Sequence, residues 1–331
     1  METVVSGIRS TGNLHLGNYF GAIHNFIKLQ ETHHCFFFIA DYHSLTTHPT
    51  ANDLHNHVGN VLVEYLAVGL DPEKATLFIQ SDLPEVTELY LFLNMNAYLG
   101  ELQRSTSFKD KIRSQPDNIN AGLLTYPTLM AADILLHKAT QVPVGKDQEQ
   151  HLEMTRNFAG RFNRLYKVDY FPEPTAFNFG ENLIKVPGLD GKGKMSKSDG
   201  EASTIFLRDE PEIIRKKIKK AVSDSGNRNT GGKKSLAVKN LFDLLALVSP
   251  IETIKFFEQE YKKGSIRYGD LKHQIAEDMI LFLGPIQEKI KDYSSKPTFV
   301  REVARLGAAK ARISGQKTIR EVREIIGFKS F

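Results

Sequence analysis

Two short segments of this chain carry residues that could bind phosphate. The first is the sequence HLGN, which contains His15, Gly17 and Asn18. A predicted strand over residues 3–8 precedes it, and apolar residues at helical spacing follow over residues 19–27. This order places Gly17 and Asn18 at a helix N-terminus, where unsatisfied backbone N–H groups and the helix dipole favour an anion.

The second segment lies far downstream, over residues 191–200. Its sequence, GKGKMSKSDG, has three lysines and three glycines in ten residues. This composition predicts a cationic loop that closes on a polyphosphate and opens again. The order and the separation of the two segments indicate that they are the two halves of one ATP site.

The elements that must position these residues alternate between strand and helix in the first part of the chain. Apolar runs predict strands over residues 35–40, 75–80 and 140–144, and helical patterns lie at 51–68, 85–99, 125–137 and 148–162. We expect Pro127 to lie in the first turn of its helix, where proline is tolerated. The alternation predicts an α/β fold with a doubly wound parallel sheet, in which ligands bind at the carboxyl ends of strands.

Beyond residue 205 the strand signals stop. Helical patterns cover residues 211–222, 236–248, 251–261, 269–293 and 299–325, the last with an expected break near Gly315. We therefore predict a Rossmann-like domain over residues 1–205 and an all-helical domain over residues 206–331, whose last helix could pack back on the first domain.

Composition and charge agree with a two-domain globular protein. The chain has 331 residues, 41% of them hydrophobic and 25% charged. Residues 1–200 carry 17 Lys and Arg against 22 Asp and Glu, whereas residues 201–331 carry 26 against 17. This asymmetry indicates either a polyanion bound by the helical part or a solvated lysine-rich surface. The lone Cys35 excludes an intramolecular disulfide and a cysteine-rich metal site. With neither a signal peptide nor a membrane span evident in the sequence, we expect a cytoplasmic protein.

With these two segments, the chain resembles the class I aminoacyl-tRNA synthetases. The resemblance continues through TYPTLMAADILL at residues 125–136 and VPVGKDQEQH at residues 142–151. In this combination it is similar to the bacterial type of tryptophanyl-tRNA synthetase, while the tyrosyl enzymes share the same architecture. The similarity runs from residue 6 past residue 197, and more weakly through the helical remainder.

One helix face bears on the choice of amino acid. Tyr126, Met130 and Asp133 lie at i, i+4 and i+7, so that one face presents all three. Core packing explains a Tyr and a Met equally well, but a buried carboxylate needs a partner, either a structural ion pair or a ligand donor. Asp133 suits an indole N–H and also tolerates a phenol hydroxyl. Tyrosyl enzymes place a glutamine at the position of Met130, a soft apolar wall that favours tryptophan.

The resemblance implies a tryptophan–tRNA ligase with a two-step reaction. ATP activates L-tryptophan to tryptophanyl-adenylate, and the tryptophanyl group is then transferred to the 2′-hydroxyl of the terminal adenosine of tRNA(Trp). Tyrosine specificity and a nucleotidyltransferase acting on a small substrate are the alternatives. Mg²⁺ is expected to be held by ATP, without a protein metal site, a tightly bound organic cofactor or an Fe–S cluster. The partners implied are tRNA, contacted by the helical domain through the basic residues 215–220, and a second copy of the chain in a homodimer.

The resemblance also implies which residues form the site. Catalytic roles fall to His15, Asn18, Lys111, Lys194 and Lys197. ATP would contact Arg9, Gly17, Asn18, Gly145, Asp147, Lys194, Met195, Ser196, Lys197 and Ser198, with Gly145 and Asp147 at the ribose. Arg9 departs from the family pattern, which often has glutamine there. Tryptophan would contact Val5, Gly7, His43, Tyr126, Met130, Asp133, Val142, Val144 and Gln148, with Tyr126 and Gln148 at its α-amino group.

Overall fold

The computed structural model describes residues 1–114, 116–145, 148–177, 184–197, 200–224 and 234–328. Its centre is a parallel sheet of five strands in the order β3-β2-β1-β4-β5. The strands are β1 (Thr3–Arg9), β2 (His34–Ala40), β3 (Ala75–Ile79), β4 (Gln141–Val142) and β5 (Thr175–Ala176). All four strand pairs are parallel, so the carboxyl ends of the strands meet at one edge of the sheet. This arrangement confirms the predicted α/β fold class.

Helices cover both faces of the sheet, as the continuous apolar runs of its inner strands require. Six of the seven residues of β2 are buried, and its pattern is typical of a strand covered on both sides. The helices of this part are α1 (Leu16–Asn18), α2 (His24–Leu29), α3 (Asp41–Ser44), α4 (Ala51–Ala67), α5 (Pro84–Asn96), α6 (Leu99–Arg104), α7 (Thr106–Ser114), α8 (Ala121–Leu136) and α9 (Glu149–Tyr166). Residues Tyr19–Ile23 form a π-helical turn between α1 and α2.

The remainder of the described chain is helical apart from its connecting segments. The helices are α10 (Pro211–Lys220), α11 (Leu236–Val248), α12 (Ile251–Lys263), α13 (Tyr268–Ser294) and α14 (Pro297–Ile326). The expected break near Gly315 is wrong, because α14 continues through that residue. A Cβ built on Gly315 would lie in ordinary van der Waals contact with the Leu136 side chain, 3.4 Å from its Cδ2, so this part of α14 packs against α8.

The last helix packs against the sheet. A Cβ built on Gly307 of α14 would lie 1.7 Å from the carbonyl oxygen of Leu77 in β3, so glycine allows the two backbones to touch. Further along α14, Thr318 Oγ1 donates to the carbonyl of Leu136 at 2.8 Å, and Ser314 Oγ lies 2.6 Å from Nδ1 of His137. Helix α14 therefore packs against the sheet domain as well as following the other C-terminal helices in sequence.

Two details of the first part differ from the sequence-based expectations. Pro127 lies inside α8 instead of in its first turn, because the helix begins earlier, where the Asn120 side chain accepts a hydrogen bond from Leu123 N at 3.1 Å. The predicted strand at residues 140–144 is shortened to the two residues of β4. Among the described residues, no helix combines the length and the apolar character needed to cross a bilayer.

Candidate active site

A cavity of about 610 Å³ opens at the carboxyl ends of β1, β2 and β4. Most of the predicted site residues line it, namely Val5, Gly7, Arg9, His15, Asn18, His43, Lys111, Tyr126, Met130, Asp133, Val142, Val144, Gly145, Gln148, Ser196 and Lys197. Gly17, Lys194 and Met195 do not belong to its lining, and Asp147 and Ser198 lie outside the described residues. The fold thus brings residues from distant parts of the chain to one cavity.

The first motif forms the tight start of α1. The backbone N–H of His15 donates to Asn18 Oδ1 at 3.1 Å, which leaves the amide nitrogen of Asn18 as the donor that can reach a ligand. A Cβ built on Gly17 would lie 2.8 Å from the His15 ring and 3.3 Å from the carbonyl of Met195. Only glycine therefore fits where the two motifs meet.

The imidazole of His15 is neutral at physiological pH. Burial, and secondarily the charge of Lys197, lower the pKa of His15 to about 4. A neutral ring donates through one nitrogen and accepts through the other. His15 can therefore form a hydrogen bond with a phosphate oxygen without adding a full charge.

The second motif places its residues on opposite sides of the loop. The Met195 side chain is buried in the core, and its backbone N–H donates to the carbonyl of Val186 at 2.7 Å. Lys194 is exposed, in a β-bridge with Pro187. Lys197 points inward, where its Nζ donates to the carbonyl of Thr11 at 3.3 Å. Of the three lysines in this motif, Lys197 is the one at the cavity.

Three cationic side chains lie together at the end of the cavity that holds the two motifs: Arg9, Lys111 and Lys197. Burial lowers the pKa of Lys197 to about 8, and the charge of Arg9 contributes to the decrease. Burial, followed by the same arginine, also lowers the pKa of Lys111. The Arg9 Nε is buried without a hydrogen-bond partner among the described residues. Mutually repelling, partly desolvated cations make this end of the cavity suited to a polyanion.

The opposite end of the cavity contains the buried carboxylate of Asp133, which two protein side chains contact. His43 Nε2 lies 2.9 Å from Oδ2 of Asp133, and Gln80 Nε2 donates to Oδ1 of Asp133 at 2.7 Å. Burial raises the pKa of Asp133, while the hydrogen bond and charge of His43 oppose this effect. Each carboxylate oxygen has a second lone pair, so Asp133 can still accept a hydrogen bond from a ligand.

Aromatic and apolar side chains form the walls around this carboxylate. The Tyr126 ring lies between His43 and His151, with centroid distances of 4.4 and 5.5 Å. His151 bridges two elements, since its Nδ1 lies 2.8 Å from Oε1 of Gln148 and its Nε2 lies 2.6 Å from Oγ of Ser107. Met130, Val142 and Val144 complete a pocket suited to a flat aromatic ring.

Gln80 and His151, which hold cavity-lining side chains in place, were not predicted from the sequence. Gln80 is fully buried, and its Oε1 accepts from the N–H of Tyr42 at 3.1 Å while its amide holds Asp133. His151 fixes Gln148 and connects it to α7. The position of Gln80 could have indicated its role, because it is the polar residue at the carboxyl end of a predicted buried strand, where parallel sheets bind their ligands.

This fold and this site define the catalytic domain of a class I aminoacyl-tRNA synthetase. A profile described as tRNA synthetases class I (W and Y) matches residues 2–284. The tryptophan–tRNA ligase of Porphyromonas gingivalis is 58% identical over 329 residues, which cover 99% of this chain and 100% of that protein. The enzyme of the same name from Clostridium tetani is 42% identical over 99% of this chain and 96% of that protein.

Solved structures agree with the sequence comparison. The crystal structure of tryptophanyl-tRNA synthetase from Campylobacter jejuni, complexed with ADP and tryptophan, has a TM-score of 0.87 at 34% identity. The match covers 98% of this chain and 100% of that chain. The chain belongs to the class I tRNA synthetases for tryptophan and tyrosine and, within them, to the tryptophanyl-tRNA synthetases.

Proposed function

We propose that this chain is a tryptophan–tRNA ligase that activates L-tryptophan with ATP and transfers it to tRNA(Trp). Family membership supports the reaction, and one observation supports its location. The two phosphate-binding motifs and the Tyr126–Met130–Asp133 face line the same cavity, with cations at one end and an aromatic pocket at the other. A carboxylate bound between them would lie beside the phosphates of ATP.

In the first step, a tryptophan carboxylate oxygen attacks the α-phosphorus of ATP. A bond forms between this oxygen and phosphorus, the bond to the bridging oxygen breaks, and pyrophosphate leaves with the electron pair. The carboxylate is already ionised at pH 7, so the step needs no general base. Catalysis then rests on positioning and on stabilising the charge that develops on the phosphates.

The residues of the cavity divide between these tasks. His15 and the amide of Asn18 bind phosphate oxygens, while Lys197, Arg9 and Lys111 stabilise the negative charge of the leaving pyrophosphate. Lys194, exposed in this structure, joins them when the loop closes. Gly17 and Ser196, with the loop residues Met195 and Ser198, complete the phosphate side, and Gly145 and Asp147 contact the ribose.

The amino-acid end binds tryptophan. Asp133 accepts a hydrogen bond from the indole N–H, and Met130, Val5, Val142 and Val144 contact the ring. Tyr126 and Gln148 hold the α-amino group. Gly7 also contacts the substrate from this end of the cavity; a Cβ built on it would lie 2.6 Å from the Phe38 ring, so glycine leaves space for that side chain beside the substrate. A site that hydrogen-bonds the substrate in this way discriminates against analogues that lack the group.

We propose that Mg²⁺ enters with ATP as part of the substrate. The polar groups at the phosphate end of the cavity are mostly cations and amide or imidazole donors, which suit phosphate oxygens better than a metal ion. The ion would screen the charge of the phosphates when bound. His15, Asn18 and Lys197 orient the phosphate chain.

In the second step the 2′-hydroxyl oxygen of the tRNA terminal adenosine attacks the carbonyl carbon of the adenylate. The bond between this carbon and the phosphate oxygen breaks, and AMP leaves with the electron pair, a phosphate oxygen taking the hydroxyl proton. The helical part carries the positive balance for tRNA. Within residues 215–220, Arg215 already pairs with Glu277 at 2.7 Å and Lys217 with Asp209 at 2.6 Å. Lys216 and Lys219 line a groove of about 660 Å³ together with Arg215 and Lys272, and we assign the phosphate contacts of tRNA to this groove.

We further propose that the chain forms a homodimer through the outer face of α5 and the start of α6. Four large apolar side chains are exposed there: Leu91, Met95, Tyr98 and Leu99, with Met95 at 79% exposure. An apolar patch of this kind is typical of a protein interface. Sedimentation of the Met95→Glu variant, compared with the unmodified chain, should show a monomer in place of a dimer.

The decisive experiment for the function is the exchange of pyrophosphate into ATP with each of the twenty amino acids. We expect exchange with tryptophan, and at least ~100-fold less with tyrosine. Equal exchange with tyrosine would reverse the specificity. Exchange without any charging of tRNA(Trp) would instead favour a nucleotidyltransferase acting on a small substrate.

A further inference from the structure

A buried carboxylate outside the cavity lies directly beneath the phosphate-binding motifs. Glu64, on α4, is fully buried. Its Oε2 accepts from the backbone N–H of Leu14 at 2.7 Å, immediately before the first motif. Its Oε1 accepts from Nε of Arg208 at 2.6 Å, in the segment that follows the second motif. The Glu64 side chain therefore connects the residue before the first motif with the segment that follows the second motif.

The same two segments are also joined by backbone hydrogen bonds. Leu16 N donates to the carbonyl of Ile205 at 3.0 Å, and Leu207 N donates to the carbonyl of Leu14 at 2.9 Å. Asn60, one turn before Glu64 on α4, extends the connection, since its Nδ2 donates to Asn13 Oδ1 at 3.0 Å. Helix α4 thus supports the whole turn that leads into the first motif.

We propose that Glu64 is a positioning residue of the ATP site, which fixes the first motif against the segment after the second and supplies the countercharge for Lys197. This role rests on the proposed function, in which Lys197 stabilises the charge of pyrophosphate. Both oxygens of Glu64 accept from donors, a backbone N–H and a guanidinium, so the ionised form satisfies all of these contacts. A protonated Glu64 would have to donate to groups that cannot accept.

Lys197 lies beside the Glu64–Arg208 pair: it lines one cavity with Asn60 and Arg208, and its Nζ donates to the carbonyl of Thr11. The charges around Lys197 determine the sign of the effect of Glu64. The acids that share its surroundings are Asp53, Glu64, Glu201 and Asp209. The basic groups are Arg9, His15, His57, Lys111, Arg208 and the α10 lysines Lys216, Lys217 and Lys220. Among all of these, Glu64 raises the pKa of Lys197 and Arg9 lowers it, while burial is the largest cause of its decrease to about 8.

The test is the pH dependence of kcat/KM for ATP in tryptophan-dependent pyrophosphate exchange, because this ratio reports the ionisation of the unliganded enzyme. In the unmodified chain, the decrease of kcat/KM on the alkaline side of the pH profile (the basic limb) should be centred near pH 8, where Lys197 loses its proton. The Glu64→Gln variant should move this limb to lower pH by about one unit. Activity would then fall about tenfold at pH 9 and change little at pH 6.5.

A second variant covers the case in which Glu64→Gln does not fold. Removing one partner of a buried ion pair is strongly destabilising, whereas replacing both is often tolerated. The double variant Glu64→Gln/Arg208→Gln substitutes an amide pair and should displace the limb in the same direction but by less, because the positive charge of Arg208 is removed as well. The matched control is Glu85→Gln/Arg312→Gln, which removes a similar pair, 3.1 Å apart, between α5 and α14. Its limb should coincide with that of the unmodified chain.

The outcomes separate this role from the proposed function. A limb that stays in place in both Glu64 variants, with an equal loss of activity at every pH, would refute the countercharge role and leave Glu64 as a structural residue. A limb displaced to higher pH would also refute it. No tryptophan-dependent exchange by the unmodified chain would refute the proposed function, and the role of Glu64 with it.

Discussion

His43 and Asp133 form a buried pair, with Nε2 of the imidazole 2.9 Å from Oδ2 of the carboxylate and both side chains 4% exposed. Their partner Gln80 occupies the other oxygen at 2.7 Å. The Asp133 carboxylate is therefore held in one orientation before any ligand binds. Such preorganisation reduces the cost of binding, because the polar group need not be ordered by the ligand.

Replacing Asp133 should weaken tryptophan binding selectively. We expect the Asp133→Asn variant, which keeps the shape of the side chain, to lose about tenfold or more in tryptophan affinity, the scale of a hydrogen bond to a charged group. ATP affinity should stay the same. Because the chain contains no tryptophan, the fluorescence of the ligand itself reports binding. Unchanged tryptophan affinity would make Asp133 a purely structural residue.

Removal of the Gln80 side-chain amide should give a smaller effect of the same kind. The Gln80→Leu variant frees Oδ1 of Asp133 and leaves the N–H of Tyr42 without this acceptor. We expect a loss of a few-fold in tryptophan affinity, with ATP affinity unaffected, because the carboxylate is less well oriented. The same fluorescence titration measures it. An equal loss for both ligands would point to a general disturbance of the cavity.

Two lysines of one loop should behave differently. The Lys197→Ala variant should slow pyrophosphate exchange by about 10²–10³-fold, as expected for the loss of a charge that stabilises the transition state. Tryptophan binding should remain, since Lys197 lies at the other end of the cavity. The exposed Lys192, changed to Ala, is the control and should retain its exchange rate. Loss of tryptophan affinity in the Lys197 variant would contradict this division.

Two buried histidines should make the fold sensitive to acid. Burial lowers the pKa of His137 to about 3 and, with Lys197, that of His15 to about 4. Between these values and the ordinary pKa near 6.5 the unfolded chain binds protons that the folded chain does not. Stability is therefore fully present above about pH 6.5 and falls as the pH decreases, by up to about 1.4 kcal/mol per pH unit for each histidine.

Urea unfolding at pH 5.5 and 4.5 measures this slope. The His137→Phe variant, which can keep the stacking on Phe36, should have a slope that is smaller by about 1.4 kcal/mol per pH unit. The exposed His55, changed in the same way, is the control. A slope identical to that of the unmodified chain would show that His137 does not take up a proton on unfolding.

Two glycine-to-alanine changes in helices should have opposite effects. In Gly307→Ala the new methyl would meet the main-chain carbonyl of Leu77, which cannot rotate away, so we expect a loss of about 3 kcal/mol in the free energy of unfolding. Gly59 of α4 has no atom within 4 Å of its built Cβ, and its change to Ala should stabilise by up to about 1 kcal/mol. Thermal or urea unfolding compares the two. Equal effects would contradict the close contact.

The sequence predicted the elements with a clear apolar pattern and missed a short polar helix. The strands β1 to β3 follow apolar runs, and their bounds agree with prediction to within two residues. By contrast, α7, which carries Lys111, was not predicted, because its polar composition resembles a loop. Thr106 at its start contacts Oε1 of Gln150 through both its N–H, at 2.8 Å, and its hydroxyl, at 2.6 Å, a tertiary contact that no local pattern reveals.

The residues of the site also divide into those that the sequence predicted and those that it did not. Motif residues such as His15 and Tyr126 were predicted because their spacing carries the signal. Gln80 and Glu64 were not, since each acts through a partner that is distant in sequence: Asp133 for the first, Leu14 and Arg208 for the second. Residues that line the cavity can be predicted from local motifs, whereas those that hold them in place require knowledge of the fold.

The contact between Gly307 and Leu77 has a consequence for the order of synthesis. Strand β3 is an edge of the sheet, and α14 is the element that lies along it. At ~5–20 residues per second, the ribosome needs roughly 10–50 s to add the roughly 230 residues between the two. Throughout that interval the nascent chain presents an uncovered strand edge, which could pair with any extended chain. Protection of this edge from aggregation therefore begins only when the last helix has emerged.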